Sequence, residues 1–399
     1  MPISSKRIST LALTGLASIF WLFPAHAEMT AFGERVNSNS VPDSPTSSNL
    51  PAFPAVSAPH DPYAITPKTG EFKPSSFDLT SSQKNNKPSS AKPKATPVPT
   101  PPLVPLIDLR VKTYQAAQPE IHFFLRLPEG HAPEKPTAKG VLAFCTWERA
   151  DKSLAASLRN ENSPIVKYAK RHGLALLTWN TAILWKTGLS YNQLNVPELR
   201  KEDLIFDEVA RAWAGGVKRI CRDEHLPESG ILLYGISAGA HWSQRLAVRM
   251  PNLFLAVHIH VANSYDRPTC NYNAQIPLWL VSSGDLDRGR NNAVAFYHSS
   301  QALGIPMILK IANGLGHADC PEIDELRNVF FDYAAGVSAR CDKRKPSELM
   351  LEDLNNAKLT GDLLTQLVYR GPSSSKIPQE QRVPLPDENV AKAWGYIRK

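Results

Sequence analysis

The stretch Ile231-Leu-Leu-Tyr-Gly-Ile-Ser-Ala-Gly-Ala240 decides the fold. It spells G-x-S-x-G, with Ser237 between Gly235 and Gly239. An apolar, strand-like run precedes the serine, and a helical pattern follows it to Met250, where Pro251 stops it. A strand that turns directly into a helix crowds the positions two residues either side of the turn, and glycine relieves that crowding. The turn residue is held in a strained conformation with its side chain projecting. The same letters also fit a plain Gly-Ser turn whose serine caps the helix. The buried strand before the turn favours the elbow.

Outward from the elbow, apolar runs and helical patterns alternate from about residue 106 to residue 341. Strands are expected at Glu120–Leu127, Gly140–Cys145, Leu174–Thr178, Ile231–Ile236, Phe254–Val261, Pro277–Ser282 and Pro306–Ile311. Helices are expected between them. Ser163 and Pro164 start one that ends at His172-Gly173. Pro197–Cys221, Ala238–Met250, Asn291–Leu303 and Glu322–Ala335 give four more, the last closed by Gly336. Continuously apolar strands alternating with helices imply an α/β fold, a mainly parallel sheet covered on both faces.

The flanks differ from this domain. Residues 1–27 read as a secretory leader. Lys6 and Arg7 precede an apolar stretch from Ile8 to Phe23, and Ala25-His26-Ala27 supplies a small-x-small cleavage site. Export to the periplasm or the exterior is therefore expected, with no stable membrane insertion once the leader is removed. Residues 28–105 are rich in Pro, Ser, Thr, Asn and Lys, too poor in periodic apolar residues to offset their ordering entropy. They read as a disordered linker. Residues 342–399 form a polar, Pro-containing extension with one weak helix between Leu349 and Leu367. Trp394 and Tyr396 hint that it docks.

The net charge of +8 is spread along the chain, without the basic-aromatic patch of a nucleic-acid partner. The five cysteines lack CxxC spacing, and no metal is expected. Cys320 and Cys341, which bracket the last helix, are one disulfide candidate. His258 and His260 share a strand face as H-x-H without an evident third ligand, and read as core histidines.

A serine hydroxyl needs a base to take its proton, and the base needs an orienting acid. On a parallel sheet both come from loops at the C-terminal ends of later strands, in the chain order Ser, acid, His. Ser282-Ser-Gly-Asp-Leu-Asp-Arg288 offers Asp285 and Asp287 as the acid. Asn313-Gly-Leu-Gly-His-Ala-Asp319 offers His317, the only histidine after the last strand. The oxyanion hole needs two N–H donors: Ala238, just after the nucleophile, and Thr146 or Trp147, after Gly140–Cys145.

With these residues in place the folded region resembles the α/β-hydrolase family. It looks most like extracellular esterases of the polyhydroxybutyrate-depolymerase and feruloyl-esterase type. The resemblance implies Asp287 as the acid, because Gly284-Asp-Leu-Asp287 matches the family's G-x-x-D, with Asp285 as the alternative. Gly316-His317 matches a common Gly-His pair, and family position selects Trp147 as the second oxyanion donor. Here the chain has Cys145-Thr-Trp-Glu148, where the family often shows His-Gly or Gly-Gly. His241, Trp179 and Trp185 are candidate substrate contacts, and Tyr191, Trp242 and Tyr265 could extend an aromatic platform. The implied activity is cofactor-free cleavage of a small-molecule or polymer ester through an acyl-enzyme. The rival readings are a serine peptidase of the same fold and a catalytically silent glycan- or polymer-binding module.

Overall fold

The strands that are apolar at every position become the centre of a sheet, because helices cover them on both sides. A computed structural model describes residues 104–112, 120–146, 150–180, 196–268 and 277–398, without the side chains of 196–202. The expected leader and all but the last two residues of the expected linker lie outside the described residues.

Eight strands form the main sheet: β1 (Ile107–Lys112), β2 (Glu120–Arg126), β3 (Gly140–Cys145), β4 (Leu174–Trp179), β5 (Ile231–Ile236), β6 (Phe254–His260), β7 (Leu278–Gly284) and β8 (Met307–Ala312). Their spatial order is β1-β2-β4-β3-β5-β6-β7-β8. β2 runs antiparallel to both β1 and β4. Every other pairing is parallel. The direction of winding reverses between β3 and β5, the place where open α/β sheets bind their ligands. β5 carries the elbow, so the candidate nucleophile stands at this switch point.

The helices of this region are α1 (Asp151–Arg159), α2 (Pro164–His172), α3 (Val196–Asp223), α4 (Ala238–Arg249), α5 (Arg290–Ala302) and α6 (Pro321–Arg340). Neighbouring residues of β5 show which helix covers which face. Tyr234 lies under the Arg327 guanidinium of α6, 4.6 Å from the ring centre. Gly235 faces α4, where an added Cβ would stand 2.6 Å from Ser243 Oγ. The core is continuous across both layers. Trp213 of α3 packs with Phe123, Trp179 and Phe254, while Tyr168 of α2 meets Phe331 of α6.

Three expectations change. α6 does not stop at Gly336 but continues to Arg340, because Val337 extends its buried face and nothing crowds the glycine. Cys320 and Cys341 are both free, each next to one end of this 20-residue helix. A helix of that length spans about 30 Å, whereas a disulfide holds its Cα atoms within about 7 Å. The domain also does not end at 341. α7 (Pro346–Asn355) packs on α6, followed by a four-stranded sheet of β9 (Leu359–Asp362), β10 (Leu367–Arg370), β11 (Arg382–Leu385) and β12 (Tyr396–Ile397), with α8 (Glu388–Trp394) inserted before β12.

Trp394 fastens this extension. It is fully buried, and its indole N–H donates to the Leu309 carbonyl of β8 at 2.7 Å. Lys310, buried in the same strand, donates to Glu322 at 2.9 Å and to the Trp394 carbonyl. Among the described residues no helix is long and apolar enough to cross a membrane, and no group of three His, Cys, Asp or Glu side chains could hold a metal ion.

Candidate active site

β5 ends at Ile236 and α4 begins at Ala238, so Ser237 alone makes the turn, at φ 57° and ψ −124°. Such a conformation costs a non-glycine residue about 1–3 kcal/mol and persists only where surrounding contacts fix it. Ser237 N–H donates to the His260 carbonyl of β6 at 3.1 Å. The Ser237 carbonyl accepts from the N–H groups of Ala240 and His241 at 3.0 and 3.2 Å. The two motif glycines are needed for space. A Cβ on Gly239 would lie 2.1 Å from the Cys145 carbonyl oxygen, and one on Gly235 would lie 2.6 Å from that of Gly239.

Loops after β7 and β8 bring two further side chains to this serine. Ser237 Oγ–H donates to His317 Nε2 at 2.7 Å, and His317 Nδ1–H donates to Asp287 Oδ1 at 2.9 Å. The Asp287 side chain is fully buried, while that of His317 keeps 35 % of its surface exposed. Ser283 Oγ–H donates to the second Asp287 oxygen at 3.0 Å. The loops also brace each other: Leu286 N–H donates to the Leu315 carbonyl at 3.1 Å, and a Cβ on Gly284 would sit 1.9 Å from that same oxygen. The arrangement therefore joins a hydroxyl, an imidazole and a buried carboxylate in one line. With the mainly parallel eight-stranded sheet and a strand-to-helix turn at its switch point, the chain has an α/β-hydrolase-like fold.

Solved structures with detectable likeness include a ferulic acid esterase from the anaerobic fungus Anaeromyces mucronatus, at 12% identity and TM-score 0.42, covering 60% of this chain and 91% of that one. An S-formylglutathione hydrolase from Staphylococcus aureus aligns at 14% identity and TM-score 0.40, over 58% of this chain and 98% of that one. A protein described as a dipeptidyl aminopeptidase IV, from Bacteroides ovatus, aligns at 14% identity and TM-score 0.41, over 58% of this chain and 36% of that one. No family model and no curated protein matches the sequence.

The other expected site residues divide. Ala238 is the first residue of α4, so its N–H has no carbonyl four residues back in the helix to receive it. Trp147 lies outside the described residues, as do Trp185 and Tyr191. Asp285 does not pair with His317. Its N–H donates to the Ala312 carbonyl, and the imidazole takes Asp287 instead. His241 is anchored beside the elbow, its Nδ1–H donating to the Ser264 carbonyl at 3.1 Å. Burial, with Arg245 adding to it, pushes its pKa below the ordinary histidine value.

Trp179 is not a substrate contact. It is 1 % exposed and packs edge-on against Trp213, with ring centres 5.1 Å apart. Trp242 is likewise fully buried, against Phe206. Tyr265 stacks on Phe296 with ring centres 4.7 Å apart. The expected aromatic platform therefore loses Trp179 and Trp242 to the core. What the sequence reading missed is polar. Ser283 supports Asp287, and its only signal was its place in Ser282-Ser-Gly-Asp285. Asn263, after β6, accepts from Arg288 Nε at 2.9 Å and through its carbonyl from Asn292, which ties the loop after β6 to the acid's loop.

Proposed function

We propose that this chain is a serine hydrolase of carboxylic esters. The observation that carries the reading is the unbroken line of hydrogen bonds from Ser237 through His317 to Asp287, starting from a strained turn at the sheet's switch point. In this reading Ser237 Oγ attacks the ester carbonyl carbon while His317 Nε2 takes its proton. Buried Asp287 keeps the Nδ1–H tautomer and stabilises the imidazolium that forms. The N–H of Ala238 and the positive end of α4 stabilise the oxyanion, with Trp147 as second donor. Collapse of the tetrahedral intermediate expels the alcohol, which takes the proton from His317. Water then attacks the acyl-serine by the same route, releasing the acid. The substrate is a small-molecule or polymer ester, reached after export directed by residues 1–27.

The test is labelling by a fluorophosphonate probe together with turnover of p-nitrophenyl acetate. The wild-type chain should do both and Ser237→Ala neither. Undiminished turnover by Ser237→Ala would remove the assignment. Turnover of acetyl, feruloyl, hydroxybutyrate and peptide substrates then fixes the acyl group.

A further inference from the structure

The H-x-H pair of β6 belongs to no group of three possible metal ligands among the described residues, yet one of its rings reaches the loop that carries the proposed base. His258 and His260 are both fully buried. Their rings meet on one oxygen of the neighbouring strand: Ser282 Oγ is 2.7 Å from His258 Nε2 and 2.8 Å from His260 Nδ1. His260 Nε2 is 2.9 Å from the carbonyl oxygen of Ala318, the residue that follows His317.

The donors follow from the last contact. A carbonyl only accepts, so His260 carries its proton on Nε2. Its neutral Nδ1 must then accept from Ser282 O–H. The hydroxyl has no second proton, so His258 Nε2–H donates to it. The three bonds run one way, His258 to Ser282 to His260 to Ala318. His258 Nδ1, unprotonated in this order, has no partner among the described residues. Burial pushes the pKa of both histidines below the ordinary value, which keeps each ring in the neutral form the chain of bonds needs.

His260 also holds the other partner, because its own carbonyl receives the Ser237 N–H at 3.1 Å. One residue thus touches the backbone of the elbow and the backbone of the histidine loop. The next residue of that loop is tied by its side chain, the Asp319 carboxylate accepting from Tyr234 O–H at 3.0 Å. Ser282 and Ser283 divide the work across the two faces of β7, Ser282 orienting His260 and Ser283 holding Asp287.

We infer that His260 is a positioning residue: by clamping the Ala318 carbonyl while its own carbonyl holds Ser237 N–H, it sets the distance between Ser237 and the His317 imidazole, and Ser282 and His258 fix its tautomer. The inference rests on the proposed triad. It separates from a purely structural role because a misplaced base lowers turnover without altering substrate binding. A displacement of about 1 Å can cost about 100-fold in rate.

The experiment measures kcat and KM for p-nitrophenyl acetate, with thermal midpoints, in the full chain carrying Ser237→Ala, His260→Leu, His260→Gln or Ser282→Ala. His260→Leu keeps the volume and deletes the donor. Its kcat should fall about 10- to 100-fold, with KM within about twofold of wild type. His260→Gln places an amide N–H where Nε2 stood and should recover most of that loss. Ser282→Ala should show the same pattern more weakly with a midpoint near wild type, and it decides the matter if His260→Leu fails to fold. Wild-type kcat in His260→Leu or in Ser282→Ala, a loss confined to KM, or no recovery with Gln would overturn the positioning role. Each of these, with Ser237→Ala inactive, leaves the triad standing. An active Ser237→Ala would overturn the triad and the inference together.

Discussion

At the scale of single residues the two aspartates of Gly284-Asp-Leu-Asp287 make the sharpest contrast. Two positions apart, they have different surroundings. Asp287 is fully buried and shared between His317 and Ser283, whereas Asp285 makes no bond to the imidazole. An asparagine at 287 can present its amide N–H₂ to His317 and favour the wrong tautomer, so kcat of Asp287→Asn should fall by about 10³- to 10⁴-fold. Asp285→Asn should stay within about threefold of wild type, since the imidazole takes its carboxylate from Asp287. Ester kinetics on the pair checks this, and equal losses would contradict the geometry. The juxtaposition of Ser237, His317 and Asp287 was legible in the sequence because a motif and the strand order constrain the first two, and G-x-x-D ranked the acids. Trp179 was not legible. A tryptophan ending a strand reads as a rim residue until Trp213, far along the chain, is seen to cover it.

At the scale of elements, the strands of the main sheet were readable from their continuous apolar runs, to within one or two residues at most ends. β1 was missed, because its alternating burial pattern as an edge strand leaves no apolar run. α6 was cut short at Gly336, since a glycine near the end of a helical pattern looks like a stop. Its real environment is a helix interior with open space where a Cβ would be. There the residue only adds backbone freedom to the unfolded chain. Gly336→Ala should therefore stabilise the protein by about 0.5–1 kcal/mol. Urea unfolding would detect this as a raised midpoint at unchanged slope. A destabilised variant would mean that α6 does end near 336.

At the scale of the whole molecule, residues 342–398 are part of the folded body, and this was the least legible feature. Four short strands and two short helices carry no strong period, and their stability comes from long-range docking. Trp394→Ala would open a cavity over β8 and strip cover from Lys310, at a cost of about 3–5 kcal/mol. A denaturant midpoint unchanged by that substitution would show that the extension docks by other means. The same body encloses three neutral imidazoles: His241, His258 and His260, each with its pKa lowered chiefly by burial. In the unfolded chain they titrate near the ordinary value of about 6.5. Above that pH both states are neutral, and the stabilisation these sites provide is complete. As pH falls below about 6.5 the unfolded chain takes up protons that the folded one refuses, so stability is lost progressively toward the depressed folded values. Each histidine contributes at most about 1.4 kcal/mol per pH unit in that window. The unfolding free energy should be flat from pH 8 to 7 and should fall by more than about 1 kcal/mol by pH 5.5, well above the range where carboxylates begin to protonate. His258→Phe, which keeps a ring against Tyr234, should reduce that slope. Urea titrations of both proteins at pH 7.5, 6.5 and 5.5 test this. A flat wild-type profile would mean that the buried imidazoles take up protons in place.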